Sequence, residues 1–153
     1  MPTHSNILSL DRTKANLECH SKKRALQIGS EIIARDNEKI EEGVLFEHLM
    51  ERERLGSTSL GEGVAIPHCR LEGLRETTAA FITLANPVDF EAPDQQPVDL
   101  VFILVVPLDE NEEHLQILAR LSTIFQDADT RQTLRSIRGD TELYETMKSL
   151  LDR

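Results

Sequence analysis

Val98-Asp99-Leu100-Val101-Phe102-Ile103-Leu104-Val105-Val106 is apolar at every position but one. A strand with one wet face alternates apolar and polar residues. A run without alternation predicts burial on both faces, and so a central strand with helices packed above and below it. Loop chemistry brackets the stretch, with Pro93 to Pro97 before it and Pro107 after it. Working back, Thr77 to Leu84 is rich in β-branched and apolar residues and predicts a second strand, followed by a loop at Asn86-Pro87. Earlier still, Val64-Ala65-Ile66 is a short strand stopped by Pro67.

Helical periodicity occupies the rest. Ser21 is placed to cap a helix running to about Ala34, with Ala25, Leu26, Ile28, Ile32 and Ile33 at helical spacing. Asp36 and Asn37 supply turn chemistry. A second helix is expected from about Glu42 to Arg54, with Val44, Leu45, Leu49 and Phe46 inward and Gly56 beyond its C-terminus. A third spans about Glu112 to Phe125, with Leu115, Leu118, Ala119, Ser122 and Ile124 as its expected face. Shorter helices follow at about Thr130 to Ser136 and Asp140 to Leu151. Strands alternating with helices predict an α/β sandwich: one domain with a mixed central β-sheet flanked by helices.

Composition excludes several functions. The chain has 153 residues, 39% hydrophobic and 29% charged, as in a globular domain. No apolar run approaches the roughly 20 residues of a spanning helix. Met1-Pro2-Thr3-His4-Ser5-Asn6 lacks the basic and apolar regions of a leader, so a cytoplasmic protein without membrane insertion is expected. Cys19 and Cys69 are too few for a disulfide scaffold and too far apart for a local metal-ligand pair. The net charge of −10, with no tryptophan and one tyrosine, argues against nucleic acid. That charge is uneven. Between Asn86 and Glu113 lie eight acids (Asp89, Glu91, Asp94, Asp99, Asp109, Glu110, Glu112, Glu113) and no lysine or arginine. This is either a solvated rim or a surface that steers a basic partner.

The segment Glu51 to Arg70 carries the least generic chemistry. Gly56, Gly61 and Gly63 together with Ser57, Thr58 and Ser59 sit between a helix and a strand, where backbone N–H groups can approach an anion. His68 follows Pro67, which stiffens its support. A neutral imidazole attacks phosphorus without a base, and the N–P bond it forms is labile, so the group can pass on. Such transfer depends on positioning and on donors to the equatorial oxygens. Candidate donors are Ser57, Thr58, Arg52 and a second histidine, His114, which opens a predicted helix. Each has a plainer reading: His114 as a surface helix residue, Arg52 as a complement to its helix dipole. Cys69 beside His68 is expected to be a packing residue, because neighbours on a strand point to opposite faces. His4, His20 and His48 sit in ordinary surface composition.

Gly56-Ser57-Thr58 followed by Gly61-Glu62-Gly63-Val64-Ala65-Ile66-Pro67-His68 resembles the IIA domains of the phosphoenolpyruvate-dependent phosphotransferase system, fructose–mannitol type, and within them the nitrogen-regulatory branch. Ser21 to Leu26, Arg52 to Thr58, Gln96 to Leu100 with Val106-Pro107, and Glu113-His114-Leu115 extend the likeness from residue 21 to about 145. The resemblance implies one type 2 IIA domain over residues 1–153, with an α/β sandwich fold. It implies His68 as the phosphorylated nucleophile, His114 as second active-site histidine, Arg52 on the phosphate side, and Ser57 and Thr58 lining the same pocket. It implies a phosphocarrier that accepts from an HPr-like protein and regulates partners by phosphorylation state, in nitrogen metabolism or potassium handling, with potassium-transport or sensor components as targets. Such a carrier is a phosphotransferase component that needs no cofactor or metal, since one monophosphoryl group passes between two imidazoles. Alternatives are a sugar-specific IIA feeding a IIB domain, a binding module without chemistry, and a Cys–His hydrolase. Two positions depart from the family pattern: Cys69-Arg70 follows the histidine where glycine is frequent, and Gly61-Glu62-Gly63 replaces Gly-Asn-Gly or Gly-Glu-Ser.

Overall fold

The computed structural model describes residues 4–153; Met1 to Thr3, the start of the stretch read above as no leader, lie outside them. Two single-turn 3-10 helices, Ser5–Ile7 and Leu10–Arg12, lead into β1 (Thr13–Leu17), α1 (Lys22–Arg35) and α2 (Glu42–Leu55). Then come β2 (Ser59–Gly61), β3 (Val64–Ala65), β4 (His68–Leu71), β5 (Thr78–Val88) and β6 (Val98–Pro107). Three helices close the chain: α3 (Glu112–Gln126), α4 (Ala128–Ser136) and α5 (Asp140–Asp152).

β6 is the centre of the sheet. β5 pairs with it antiparallel, Phe81 facing Phe102, and β1 pairs with β5 in parallel. On the other side of β6, β3 and β4 lie one after the other, both parallel to it: Val64 faces Leu100 and His68 faces Leu104. β2 pairs with β3 antiparallel. The absence of alternation in β6 has the consequence expected of it. Leu100, Phe102, Leu104 and Val106 join a core with α3, α4 and α5, while Val101, Ile103 and Val105 join a second core with α1 and α2. Each such side chain contributes roughly 1.5–3 kcal/mol by burial. The mixed α/β sandwich is therefore as expected.

Local chemistry explains the element ends. The Ser21 hydroxyl accepts from Arg24 N at 3.0 Å, an N-cap. Gly29 lies against Ile103, so α1 approaches the sheet more closely than a side chain there would allow. Gly56 ends α2 with φ 156°, as expected.

Four readings need correction. Asn86-Pro87 is not a loop; it lies within β5, in an exposed stretch where the register against β6 shifts between Thr83 and Val88. Val44 is exposed rather than inward. β1, β2 and β4 went unread, because runs of three to five residues carry little periodicity of their own. The inward face of α3 is His114, Ile117, Leu121, Ile124 and Phe125, while Leu115 is 65% exposed. Starting the 3.6-residue period at Leu115 rotates the whole face; starting it at His114 satisfies it.

Candidate functional site

β4 pairs with β6 and packs against α2. His68 is its first residue. Ile66 and Pro67 separate β3 from β4, and the Pro67 carbonyl still accepts from Leu104 N at 2.9 Å, which holds the interruption against β6. The His68 Nδ1–H donates to the Ile66 carbonyl at 2.8 Å. A carbonyl only accepts, so the proton of the neutral ring sits on Nδ1 and the lone pair on Nε2. Burial pushes the His68 pKa below its ordinary value; the Ile66 hydrogen bond opposes this, Arg52 and Arg70 add to it, and Glu53 opposes it.

His114 reaches the same place from α3. Its ring centroid lies 5.5 Å from that of His68, the planes inclined by 51°. The residue is only 9% exposed, and its Nδ1 is buried with no hydrogen-bond partner. An orphaned N–H costs more than an under-used acceptor, which favours the tautomer with the proton on Nε2. Burial, then His68 and then Arg70, lower the His114 pKa as well. The pair at neutral pH is thus one Nε2 lone pair beside one neutral imidazole with an N–H to offer.

A cleft of about 630 Å³ opens over the two rings, lined by His48, Glu51, Arg52, Arg54 and Leu55 of α2 and by His68, Cys69, Arg70 and His114. Arg52 Nη1 donates to the Gly56 carbonyl at 3.0 Å at the end of α2, and the residue lines the cleft. Arg70 shares the half-buried face of β4 with His68. It donates to the Leu108 carbonyl at 3.1 Å, to the Glu110 carbonyl, and to Asn111 Oδ1 at 2.9 Å, tying down the loop that delivers His114. Cys69 turns the other way into the α1–α2 core. Burial pushes its thiol up to about 12, so it supplies no thiolate at neutral pH.

Other candidates are engaged elsewhere. The Ser57 hydroxyl donates to the Phe90 carbonyl at 3.1 Å and accepts from Ser59 N at 3.1 Å. The Thr58 hydroxyl donates to the Glu53 carboxylate. Neither residue lines the cleft; both brace the loop behind it. The Gly61–Gly63 turn is also not the anion cradle its glycines suggested. Gly61, Glu62 and Gly63 all have positive φ, and Glu62 N donates to Asp94 Oδ2 at 2.9 Å. Gly63 packs against Arg135, which grips Asp99 through Nε at 2.9 and 3.1 Å. The acidic run divides accordingly: Asp94 and Asp99 are structural, while Asp109, Glu112 and Glu113 are exposed around the start of α3.

Sequence reasoning missed His48, Arg70 and above all Glu53. The signal for Glu53 was present. Leu45 and Leu49 define the inward stripe of α2, and four residues on that stripe reaches a glutamate.

The profile of the family described as "Phosphoenolpyruvate-dependent sugar phosphotransferase system, EIIA 2" matches residues 6–150. The chain belongs to that family. It is 42% identical over 139 residues to a nitrogen regulatory protein of Pseudomonas aeruginosa, covering 91% of this chain and 90% of that one. The crystal structure of nitrogen regulatory protein IIA-Ntr from Neisseria meningitidis superposes with a TM-score of 0.88 at 38% identity, over 94% of this chain and 97% of the other. The IIA mannitol structure from Escherichia coli, at 21% identity and TM-score 0.74 over 92% of this chain and 98% of that one, shares the fold. Proteins of this family act as phosphoryl carriers and interact with other phosphotransferase-system proteins. Among the described residues no helix is long and apolar enough to cross a membrane.

Proposed function

We propose that this EIIA type 2 protein is a regulatory phosphocarrier that takes a phosphoryl group onto His68 from the phosphohistidine of an HPr-like protein. The observation that carries the reading is the His68–His114 pair, 5.5 Å apart, with His68 Nδ1 tied to the Ile66 carbonyl. The Nε2 lone pair attacks phosphorus in line; the donor's N–P bond breaks, and its imidazole leaves with the bonding electrons. The phosphorylated ring is cationic, and its Nδ1–H hydrogen bond to Ile66 strengthens with that charge. Arg52 and the His114 Nε2–H donate to the equatorial oxygens, where donors aimed at developing charge do most of the catalysis. Onward transfer is the same step in reverse.

Three exposed leucines, Leu55 (85%), Leu108 (54%) and Leu115 (65%), belong to the segments that hold the site. They offer an apolar rim for a transient partner, and Asp109, Glu112 and Glu113 beside them steer a basic one. Phosphorylation adds roughly −1.5 to −2 charge there. Partners that tolerate the neutral site then meet an anion, which makes binding depend on phosphorylation state. The likeness to nitrogen regulatory proteins favours output through such partners in nitrogen metabolism or potassium handling, with potassium-transport or sensor components as targets, over feeding a sugar transporter's IIB domain.

The test is incubation with phosphoenolpyruvate, an enzyme I-type kinase and an HPr-like carrier, reading intact mass before and after brief acid treatment. One acid-labile phosphoryl group, absent in His68→Ala, is expected. No adduct on the wild type would overturn the carrier reading in favour of a binding module. Loss of the adduct on adding a IIB protein and its sugar would favour the transport branch.

A further inference from the structure

Behind the cleft, α2 buries a charge the phosphocarrier reading does not use. Glu53 is 6% exposed. Its carboxylate receives Lys22 Nζ from the start of α1 at 2.9 Å, the Thr58 hydroxyl, and Thr58 N at 3.4 Å. Lys22 also lies over the Phe90 ring, 5.7 Å from its centroid. Stability alone gives little reason for this arrangement. A leucine at 53 would continue the Leu45–Leu49 stripe, and replacing a buried ion pair by apolar packing is often neutral or stabilising.

What the pair touches is more informative. Thr58, held by Glu53, accepts at its own carbonyl from Ile66 N at 3.0 Å. Ile66, held by Thr58, accepts at its carbonyl the Nδ1–H of His68 at 2.8 Å. Three bonds run head to tail, His68 to Ile66, Ile66 to Thr58 and Thr58 to Glu53, and Lys22 meets the carboxylate at their end. Strands β2 and β3 pair around them, Ser59 facing Ala65, which keeps Thr58 and Ile66 in register.

We propose that Glu53 is a positioning residue for phosphorylation of His68, acting through Thr58 and Ile66 to fix the imidazole's tautomer and the aim of Nε2. This inference rests on the phosphocarrier reading for its chemistry. A carbonyl alone orients an imidazole only as well as the carbonyl is itself held. Here it belongs to the two-residue break between β3 and β4, outside both strands, where Ile66 N is held by the Thr58 carbonyl. The carboxylate anchors the break from behind, and linked hydrogen bonds polarise one another in the same direction. The charged and titratable groups facing His68 are Arg52 and Glu53 from α2, Arg70 from β4 and His114 from α3; Glu53 alone among them is negative.

The experiment compares wild type, Glu53→Gln and Thr58→Val by two readouts. The first is the rate of phosphoryl acceptance from an HPr-like phosphocarrier. The second is the ¹⁵N spectrum of the imidazoles across a pH titration, which reports tautomer and titration midpoint for each ring. Wild-type His68 is expected as the Nδ1–H tautomer. In Glu53→Gln the backbone spectrum stays folded, acceptance falls about tenfold or more, the His68 tautomer becomes mixed, and its titration moves to lower pH while His114 holds. Thr58→Val shows the same pattern more weakly, and decides the matter if Glu53→Gln does not fold. A folded variant with wild-type acceptance and an unchanged His68 tautomer overturns the proposal. If wild type accepts no phosphoryl group, the carrier reading fails; the tautomer comparison still decides whether Glu53 positions His68.

Discussion

Gly29→Ala tests how closely α1 is pressed onto the sheet that carries the site. In an exposed helix, alanine for glycine stabilises by roughly 0.5–1 kcal/mol. Gly29 is buried, and a Cβ there would fall well inside the contact distance of Ile103 Cδ1, with Ile103 Cγ1 at 3.5 Å. Ile103 is fully buried at the middle of β6, and its neighbours leave its methyl group little room to turn. Overpacking of this kind costs about 1–3 kcal/mol. The net expectation is destabilisation by about 1 kcal/mol, a fall in Tm of roughly 2–4 °C for a chain of this size. Ile103→Val removes the offending methyl group and leaves the rest. Alone it should cost about 0.5–1.5 kcal/mol. On that background Gly29→Ala should become neutral or stabilising, giving a favourable coupling of about 1–3 kcal/mol. Urea unfolding of the four proteins measures every term. If Gly29→Ala raises the stability of the wild type, or costs the same in both backgrounds, the close approach of α1 to β6 is wrong.

Other consequences follow from the site. Both histidines have their pKa lowered in the fold, so the unfolded chain binds more protons between the folded pKa values and about 6.5. Stability should therefore rise with pH through that window, be constant above it, and have lost the whole contribution below the folded values; urea midpoints from pH 5 to 8 check the sign. For the same reason phosphoryl acceptance should hold its rate as pH falls to 6.5 and decline only below it, and a midpoint above 6.5 would contradict a desolvated nucleophile. Arg52→Ala should slow acceptance by about 10²–10³-fold with the fold intact, the loss typical of one donor to developing anionic charge; a wild-type rate would remove Arg52 from the mechanism. Cys69, with its thiol pushed up to about 12, should resist alkylation in the native protein at pH 8 and react only in denaturant. Rapid native labelling would mean that the α1–α2 core opens there.

Periodicity and local chemistry carried much of this molecule. An unalternating apolar run of strand length, rich in β-branched residues and bounded by prolines, reads as a strand covered on both faces, so Val98–Val106 announced a central strand, and the helices around it followed from their apolar stripes and from the Ser21 cap. The motif ending in Pro67-His68 singled out the candidate nucleophile, because proline braces that histidine beside a glycine-rich segment. What the one-dimensional pattern could not carry was phase and partnership. The rotation of α3 is decided by which side chains the sheet accepts, and only that contact turns His114 inward and Leu115 out. Gly61 and Gly63 advertise an anion loop, yet Asp94 takes an amide from their turn, an engagement that spans 32 residues. The hydroxyls of Ser57 and Thr58 look free on paper and are spent on Phe90 and Glu53. Glu53 itself reads as one more helix charge until α1 brings Lys22 to it and the β2–β3 pairing sets Thr58 and Ile66 between it and His68. Sequence determines what each residue is able to do; the distances between residues remote in the chain decide which of those abilities are used.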